Sequence, residues 1–137
     1  MHLDLAAHVT QLIRQGLPVA QDSGFFVQSV DLPQVTCCLP YQTDQIRPGN
    51  TLSGPTLMTL ADATMYALIL ALDPTQLMAV THDLHIHFLA RPAPQDLTAT
   101  ATLLKAGKRS VVMRVDIFSG EKLVAHATGS YARVTNS

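Results

Sequence analysis

The sequence predicts an α+β fold in which one curled antiparallel sheet of five or six strands wraps around a single long helix. Two observations carry this prediction. Residues 56–72 are apolar almost all round, and a helix of that kind must be covered by other elements. After it, segments typical of strands recur at regular spacing and are separated by turn signals, as in an antiparallel sheet.

The N-terminal part predicts a short helix followed by a first pair of strands. Apolar residues recur near helical spacing over residues 3–15, and Gly16-Leu17-Pro18 closes the segment. Residues 25–31 and 35–40 alternate and are rich in Phe, Val and Thr, with a turn between them. We expect the helix to lie over the outside of the fold and the strands to form a hairpin or one broken strand.

The segment 41–53 leads into the long helix. It contains Pro48-Gly49-Asn50 and little periodicity, so we expect a loop, and Pro55 marks the first turn of the helix. The strand segments after the helix, joined by turns that predict an antiparallel meander, are 79–90, 96–105, 110–118 and 123–134.

The segment 79–90 predicts a strand with two different faces. Alternation places Leu84, Ile86 and Phe88 on one face, which we expect to pack on the helix. The residues assigned to the opposite face are Thr81, Asp83, His85 and His87. Together with His82 they raise the possibility of a metal site, but we expect a solvated or subunit-contacting surface and no metal, because no cysteine or second histidine pair completes a ligand set.

Composition excludes several classes of protein. A chain of 137 residues that is 47% hydrophobic and 14% charged predicts one domain over residues 1–137, which begins with a helical segment at 1–20. A net charge of −1 leaves no basic field for nucleic acid or an anionic membrane surface. The N-terminus lacks a signal-peptide pattern and the longest apolar stretch is interrupted, so we expect a cytoplasmic protein.

The interruption is a single acid. Between Arg47 and Asp73, Asp62 is the only side chain that is charged at neutral pH. A charge in apolar surroundings costs several kcal/mol unless it is paired, hydrogen-bonded or partly hydrated. A catalytic role is one good reason for Asp62 to stand in an apolar helix. The adjacent Cys37 and Cys38 predict free, buried thiols, because strand neighbours point to opposite faces.

The start of the long helix carries a family resemblance. The segment Leu52-Ser53-Gly54-Pro55-Thr56-Leu57-Met58-Thr59-Leu60-Ala61-Asp62-Ala63 resembles the motif of hotdog-fold acyl-CoA thioesterases related to the phenylacetate-pathway enzyme, His-Gly-Gly followed by Leu-Ala-Asp. The likeness covers roughly residues 24–134, through Phe88-Leu89-Ala90-Arg91-Pro92, Gly107-Lys108 and Ala125-His126-Ala127-Thr128-Gly129. It implies a hotdog fold that hydrolyses acyl-CoA without metal or resident cofactor, coenzyme A being part of the substrate.

Thioester hydrolysis needs a carboxylate and donors for the developing oxyanion. Asp62 supplies the carboxylate, as general base or nucleophile, and the helix N-terminus supplies N–H groups from Gly54 or Thr56, since Pro55 has none. Gly54 and Asp62 are about 12 Å apart along a helix, too far to touch one carbonyl. A two-fold dimer, or a dimer of dimers, solves this by joining Gly54 of one chain to Asp62 of another, as in related enzymes.

Three positions depart from the family pattern. Ser53 and Pro55 replace the usual histidine and second glycine, and Arg47 stands where relatives have an Asn or Gln that positions water or the carbonyl. Either Arg47 takes another role, such as pairing with Asp62 or holding a substrate carboxylate or phosphate, or Asn50 supplies the amide.

Four further residues are candidates for substrate contacts. Tyr66, one turn after Asp62, is placed to donate to the carboxylate or to line the acyl pocket. Some relatives have a water-orienting hydroxyl where Thr81 stands. Lys108 and Arg109, at a hairpin tip, are either ordinary turn residues or contacts for the phosphates of coenzyme A.

Other interpretations stay open. One is that Asp62 is a structural acid paired with Arg47 across a dimer. Another is that Gly54-Pro55 marks a helix start and no more. Enoyl-CoA hydratases on this scaffold place a histidine five residues after the acid, where this chain has Ala67. An acyl-CoA sensor would keep the groove without turnover. Aromatic, medium-chain and branched acyl groups all suit an apolar pocket.

Overall fold

The structure is a computed structural model that describes residues 4–42, 46–49 and 51–134. The helices are α1 (Leu5–Gly16), α2 (Pro18–Ser23) and α3 (Gly54–Leu72). The strands are β1 (Phe26–Asp31), β2 (Gln34–Leu39), β3 (Ile46–Arg47), β4 (Thr51–Leu52), β5 (Val80–Phe88), β6 (Leu97–Ala106), β7 (Ser110–Ser119) and β8 (Lys122–Ala132). The predicted long helix and its strand segments are confirmed, with a short helix, α2, added after α1.

Six of these strands form one antiparallel sheet in the order β1-β2-β6-β7-β8-β5. The predicted meander is right for β6, β7 and β8 but wrong for β5, which pairs with β8 and lies at the edge of the sheet. The connection 89–96 between β5 and β6 is longer than a hairpin loop of roughly two to five residues, so it can carry the chain past β8. Within the predicted loop, β3 pairs with β4.

The helix α3 fills the concave side of this sheet. It packs against strands from both halves of the sheet, and its residues 64–71 are all buried. By length and hydropathy alone α3 would also pass as a membrane span, a property that it shares with the buried core helices of soluble proteins. Its environment here is the interior of the fold, so the apolar pattern is explained by packing.

The N-terminal helix α1 covers one side of α3 and of β1. Val9 and Ile13 are fully buried at these contacts, whereas most of the other α1 side chains stay partly or fully exposed. Pro18 follows the end of α1, as predicted, but it also occupies the first turn of α2, where its missing N–H costs no hydrogen bond. The turn between α1 and α2 thereby stands over the first half of α3.

Small residues on the inner face of β8 let α3 approach the sheet closely. A Cβ atom at Gly129 would lie 2.8 Å from the carbonyl oxygen of Asp83 and 2.8 Å from the Sδ atom of Met65, distances that side chains do not tolerate. Ala125 and Ala127 precede it on the same face and are fully buried. This close packing sets the depth at which the helix presents Asp62 to the sheet.

Candidate active site

Two hydroxyl groups from the sheet hold the Asp62 carboxylate. Thr81 Oγ1 donates to Asp62 Oδ1 at 2.5 Å, and Tyr131 OH donates to the same oxygen at 3.0 Å. The Tyr131 hydroxyl also reaches the backbone carbonyl oxygen of Asp62 at 3.1 Å. Hydrogen bonds to an ionised acceptor are the strong kind, so these donors offset part of the cost of a charge in an apolar helix.

A β-bulge turns Thr81 toward the helix. The register between β5 and β8 shifts between Thr81 and Asp83. Thr81 therefore lies on the inner face with Leu84, three residues later, although strict alternation assigns the two to opposite faces. The prediction that Thr81 shares a face with Asp83 is wrong, because the bulge inserts one extra residue into the strand. The same bulge makes the contact between Thr81 and Asp62 possible.

Tyr131 and Tyr66 stack beside the carboxylate. Their ring centroids are 6.0 Å apart and the ring planes differ by 13°. Tyr66 OH donates to the carbonyl oxygen of Leu77 at 2.7 Å, so of its two predicted roles it lines the pocket and does not donate to Asp62. Burial, and then the Asp62 carboxylate, raise the pKa of Tyr131, and burial raises the pKa of Tyr66. Both hydroxyls therefore remain protonated donors at neutral pH.

Tyr131 is the residue of this cluster that the sequence analysis missed. It lies directly opposite Thr81 in the pairing of β5 with β8, on the face that also carries Gly129. A signal was available, because residues 125, 127 and 129 form a row of small residues that ends in a large side chain with a polar tip. Which residue of α3 the Tyr131 hydroxyl meets depends on how closely α3 packs on the sheet. A local sequence pattern does not contain that information.

Two cavities meet at Asp62. One has a volume of about 390 Å³ and lies between α3, the turn from α1 to α2 and the first two strands. The other has a volume of about 780 Å³ and lies between α1 and the chain segment that leads into β5. Asp62, Tyr66 and Tyr131 line both. The remaining wall of the smaller cavity is formed by Leu17, Pro18, Ala20, Ser23, Phe25, Leu39, Pro55, Thr56, Thr59, Leu60 and Ala63.

Among the described residues, the first turn of α3 leaves one backbone donor without an acceptor. Ser53 is the N-cap: its Oγ accepts the N–H of Thr56 at 3.3 Å and lies 2.8 Å from Thr56 Oγ1. Pro55 has no N–H. Of the two donors that the sequence analysis left open, the N–H of Thr56 is therefore already engaged, and the N–H of Gly54, the first of the helix, has no acceptor inside it.

Gly54 opens onto a different cavity from Asp62. This third cavity, of about 320 Å³, is lined by Gly54, Arg47 and the ring of Phe88, and Asp62 does not reach it. Arg47 is exposed and, within the parts of the chain that the structure describes, makes no ion pair with Asp62. The alternative residue Asn50 lies outside the described residues.

Lys108 and Arg109 are exposed at the hairpin between β6 and β7. The carbonyl oxygen of Arg109 accepts the N–H of Arg133 at 2.7 Å, and Ser110 pairs with Ala132. The hairpin tip therefore stands beside the end of β8, just beyond Tyr131. Its two basic side chains lie at the same end of the sheet as the Asp62 cluster.

The histidines of β5 and the two cysteines do not join Asp62 in a common site. Among the described residues no group of three or more His, Cys, Asp and Glu side chains has metal-binding geometry, although the rings of His85 and His87 are 5.0 Å apart. Cys37 and Cys38 are free and buried, and burial raises the pKa of both thiols. The prediction of free, buried thiols is confirmed, and a buried neutral thiol is a poor nucleophile.

A long central helix wrapped by a curled six-stranded antiparallel sheet defines a hotdog-fold protein. The sequence model of the Thioesterase superfamily matches residues 49–126. A proposed thioesterase from a Silicibacter species is 30% identical, has a TM-score of 0.84, and the match covers 95% of this chain and 92% of that one. This chain belongs to the Thioesterase superfamily, and its relatives support an enzyme with thioesterase activity.

Other solved structures share the fold at lower identity. The PaaI protein of the Escherichia coli phenylacetic acid degradation operon is 22% identical with a TM-score of 0.79, over 97% of this chain and 96% of that one. A mutant of PaaI from Thermus thermophilus is 22% identical with a TM-score of 0.76, over 85% and 99%. The predicted resemblance to hotdog thioesterases is therefore confirmed. A comparison with curated protein sequences finds no significant match.

Proposed function

We propose that this protein hydrolyses acyl-CoA thioesters to a free acid and coenzyme A. The observation that carries the proposal is the position of Asp62, a carboxylate held by two hydroxyls where two cavities with largely apolar walls meet. An acyl group with its carbonyl at Asp62 has an apolar cavity of about 390 Å³ beside it. That volume falls within the range of roughly 300–1,000 Å³ found for small-molecule sites.

In the proposed reaction Asp62 either removes a proton from the attacking water or itself attacks the thioester carbonyl. Negative charge then develops on the carbonyl oxygen, and the N–H of Gly54 donates to it at the positive end of the α3 dipole. Collapse of the tetrahedral species breaks the C–S bond and releases the coenzyme A thiolate. If Asp62 is the nucleophile, a second attack, by water, releases the acid.

The proposed site is shared between two copies of the chain. Gly54 and Asp62 of one chain open onto different cavities, so one chain alone does not bring both to one carbonyl. Among the described strands β5 pairs with β8 alone, and Val80 and Phe88 on this edge strand are 60% and 52% exposed. An edge strand with exposed apolar side chains supports pairing with a second copy, which would bring the two α3 helices side by side.

Basic residues around the site suit the phosphates of coenzyme A. Arg47 lines the Gly54 cavity, while Lys108 and Arg109 stand near the end of β8. We propose that some of these side chains contact the nucleotide part of the substrate in a cytoplasmic homodimer. The proposed chemistry uses the carboxylate and backbone N–H groups of the protein, with coenzyme A entering as part of the substrate.

The first experiment measures thiol release from short, medium, long and aromatic acyl-CoA esters by the native protein and by Asp62→Asn. We expect kcat to fall at least about a hundredfold, within the usual range for a general acid–base group. Asp73→Asn is the matched control, because it makes the same change at the C-cap of α3, away from all three cavities. Tight binding of one ester without hydrolysis would instead identify a sensor, and a fully active Asp62→Asn would contradict the assignment.

The role of the Gly54 N–H can be tested by deleting that donor. Gly54→Pro removes the N–H at a helix position where proline is favoured, and Ser53 already has the backbone angles (φ −76°, ψ 153°) that a residue before proline adopts. We expect kcat to fall by about 10²–10³, the usual effect of losing one oxyanion donor. Gly54→Ala keeps the N–H, and its Cβ would meet the ring of Phe88 at an ordinary 3.5 Å, so its loss should be far smaller.

Mixing the two inactive variants tests the shared site. In a mixed dimer of Asp62→Asn with Gly54→Pro, one of the two sites keeps both native groups. Random exchange of subunits should therefore restore about a quarter of native activity. If exchange is demonstrated and activity stays absent, the two groups do not act across a dimer.

A further inference from the structure

The two hydrogen bonds to the Asp62 carboxylate end on the same oxygen. Thr81 Oγ1 and Tyr131 OH both donate to Oδ1. Among the described residues no hydrogen bond ends on Oδ2. A carboxylate held in this way has two chemically different oxygens, because the lone pairs of Oδ1 are engaged and those of Oδ2 are available.

We infer that Tyr131 is a positioning residue that holds Oδ1 of Asp62 and leaves Oδ2 as the atom that reacts in the proposed hydrolysis. This inference rests on the proposed function and deepens it, because it names the reacting oxygen and a residue that selects it. Tyr131 acts through Asp62 and does not itself contact the thioester carbonyl. In the reaction Oδ2 takes the proton from water or forms the bond to the carbonyl carbon.

Tyr131 is better suited to this role than Thr81. Its side chain is 4% exposed and its ring is stacked on Tyr66, so the hydroxyl has little freedom to move. The hydroxyl lies between the side-chain Oδ1 and the backbone carbonyl oxygen of Asp62, at 3.0 and 3.1 Å. These two contacts tie the orientation of the carboxylate to the helix backbone. Thr81, by contrast, is on an edge strand and is exposed.

The groups that face Asp62 come from its own helix, from β8, from β5 and from α1 and α2. On its own helix the facing titratable group is Tyr66, and on β8 it is Tyr131. On β5 the contact is the neutral Thr81, since the Asp83 carboxylate accepts from Ser130 instead. The cavity-lining residues of α1 and α2 are Leu12, Gln15, Gly16, Pro18, Ala20 and Ser23, none of them charged. None of these neighbours therefore brings a charge that would compete with the hydrogen bonds from Thr81 and Tyr131 to the Asp62 carboxylate.

The test compares the pH dependence of kcat in Tyr131→Phe and Tyr66→Phe. Both variants keep a stacked ring pair and lose one hydroxyl, but only Tyr131 donates to Asp62. For Tyr131→Phe we expect the acid limb of the profile to move up by about one pH unit, because a hydrogen bond to the ionised form is lost. We also expect a plateau kcat about tenfold lower with KM within about twofold of native. Tyr66→Phe should leave the acid limb where it is.

A second measurement does not depend on turnover. With ¹³C-labelled aspartate, the signal that disappears in Asp62→Asn reports the ionisation of this carboxyl, and its titration midpoint should rise in Tyr131→Phe but not in Tyr66→Phe. If Tyr131→Phe does not fold, Thr81→Val tests the same oxygen with a smaller expected upward shift. Unmoved midpoints in folded variants would overturn the inference while Asp62→Asn stays inactive. An active Asp62→Asn would overturn the proposed function itself.

Discussion

The two halves of α3 have different environments although they belong to one continuous helix. In residues 54–63 only Leu57, Leu60 and Ala61 are buried, and the rest line cavities or face outward. In residues 64–71 every residue is buried, and of these Tyr66 also lines the two cavities at Asp62. Asp62 stands two residues before this boundary.

This difference shows where along α3 the fold can accommodate a charged side chain. A carboxylate in the second half would be fully removed from water and would cost several kcal/mol beyond what two hydroxyls can offset. In the first half the cavities admit water or substrate, and the sheet still lies close enough for Thr81 and Tyr131 to reach the carboxylate. The boundary is therefore the place where a charge can be both held by the protein and accessible to a ligand.

The largest expected effect on stability comes from Leu68→Ala in the second half of α3, and it should leave activity unchanged. Leu68 is fully buried in the second half and lines none of the three cavities around the site. Leu68→Ala should lower the free energy of unfolding by about 2–5 kcal/mol, because it removes buried methyl groups and leaves a cavity. Denaturant unfolding measures this loss, and kcat of the folded protein should stay near native.

Met58→Ala is the control in the first half, since Met58 is 43% exposed. Its expected loss of stability is well below that of Leu68→Ala. Equal losses of unfolding free energy in Leu68→Ala and Met58→Ala would contradict the distinction between the two halves. A hundredfold fall in kcat of folded Leu68→Ala would contradict it as well.

A second prediction concerns pH and the thiol under the second half. Burial raises the pKa of Cys37 from its reference value of 9.0. Above pH 9 the unfolded chain releases this proton while the folded protein keeps it, so the free energy of unfolding should fall as pH rises. One such thiol contributes up to about 1.4 kcal/mol per pH unit.

Cys37→Val should make the fall shallower by up to that amount between about pH 9.5 and 10.5, measured by denaturant unfolding at each pH. Cys38, Tyr66 and Tyr131, whose pKa values are also raised, account for a remaining slope. An identical slope with and without Cys37 would show that this thiol is accessible to solvent in the native state.

The smallest expected effect on stability comes from removing the Ser53 N-cap at the start of the first half of α3. Ser53→Ala removes the N-cap acceptor for the Thr56 N–H and should lower the free energy of unfolding by about 1 kcal/mol. Ser53→Asn keeps an acceptor and should stay close to native. Because Gly54 directly follows Ser53, we also expect kcat to fall in Ser53→Ala and to recover in Ser53→Asn. Equal behaviour of the two variants would exclude a capping role.

Several features of the site could be predicted because they depend on local patterns. Asp62 was found as a lone charge in an apolar helix, and Ser53-Gly54-Pro55 was found as a helix start. The engagement of the Thr56 N–H by Ser53 could not be predicted, because it depends on the rotamer of the Ser53 side chain. Whether Arg47, Lys108 or Arg109 contacts substrate stays a prediction.

The sequence by itself determined the elements and their amphipathic faces, since hydrophobic periodicity and turn residues act over a few positions. Only the tertiary structure decided that β5 pairs with β8, that a bulge turns Thr81 inward, and that Tyr131 reaches Asp62. Strand order and register depend on contacts between distant segments. Moving a strand by one residue exchanges its two faces, and this bulge had that effect on Thr81.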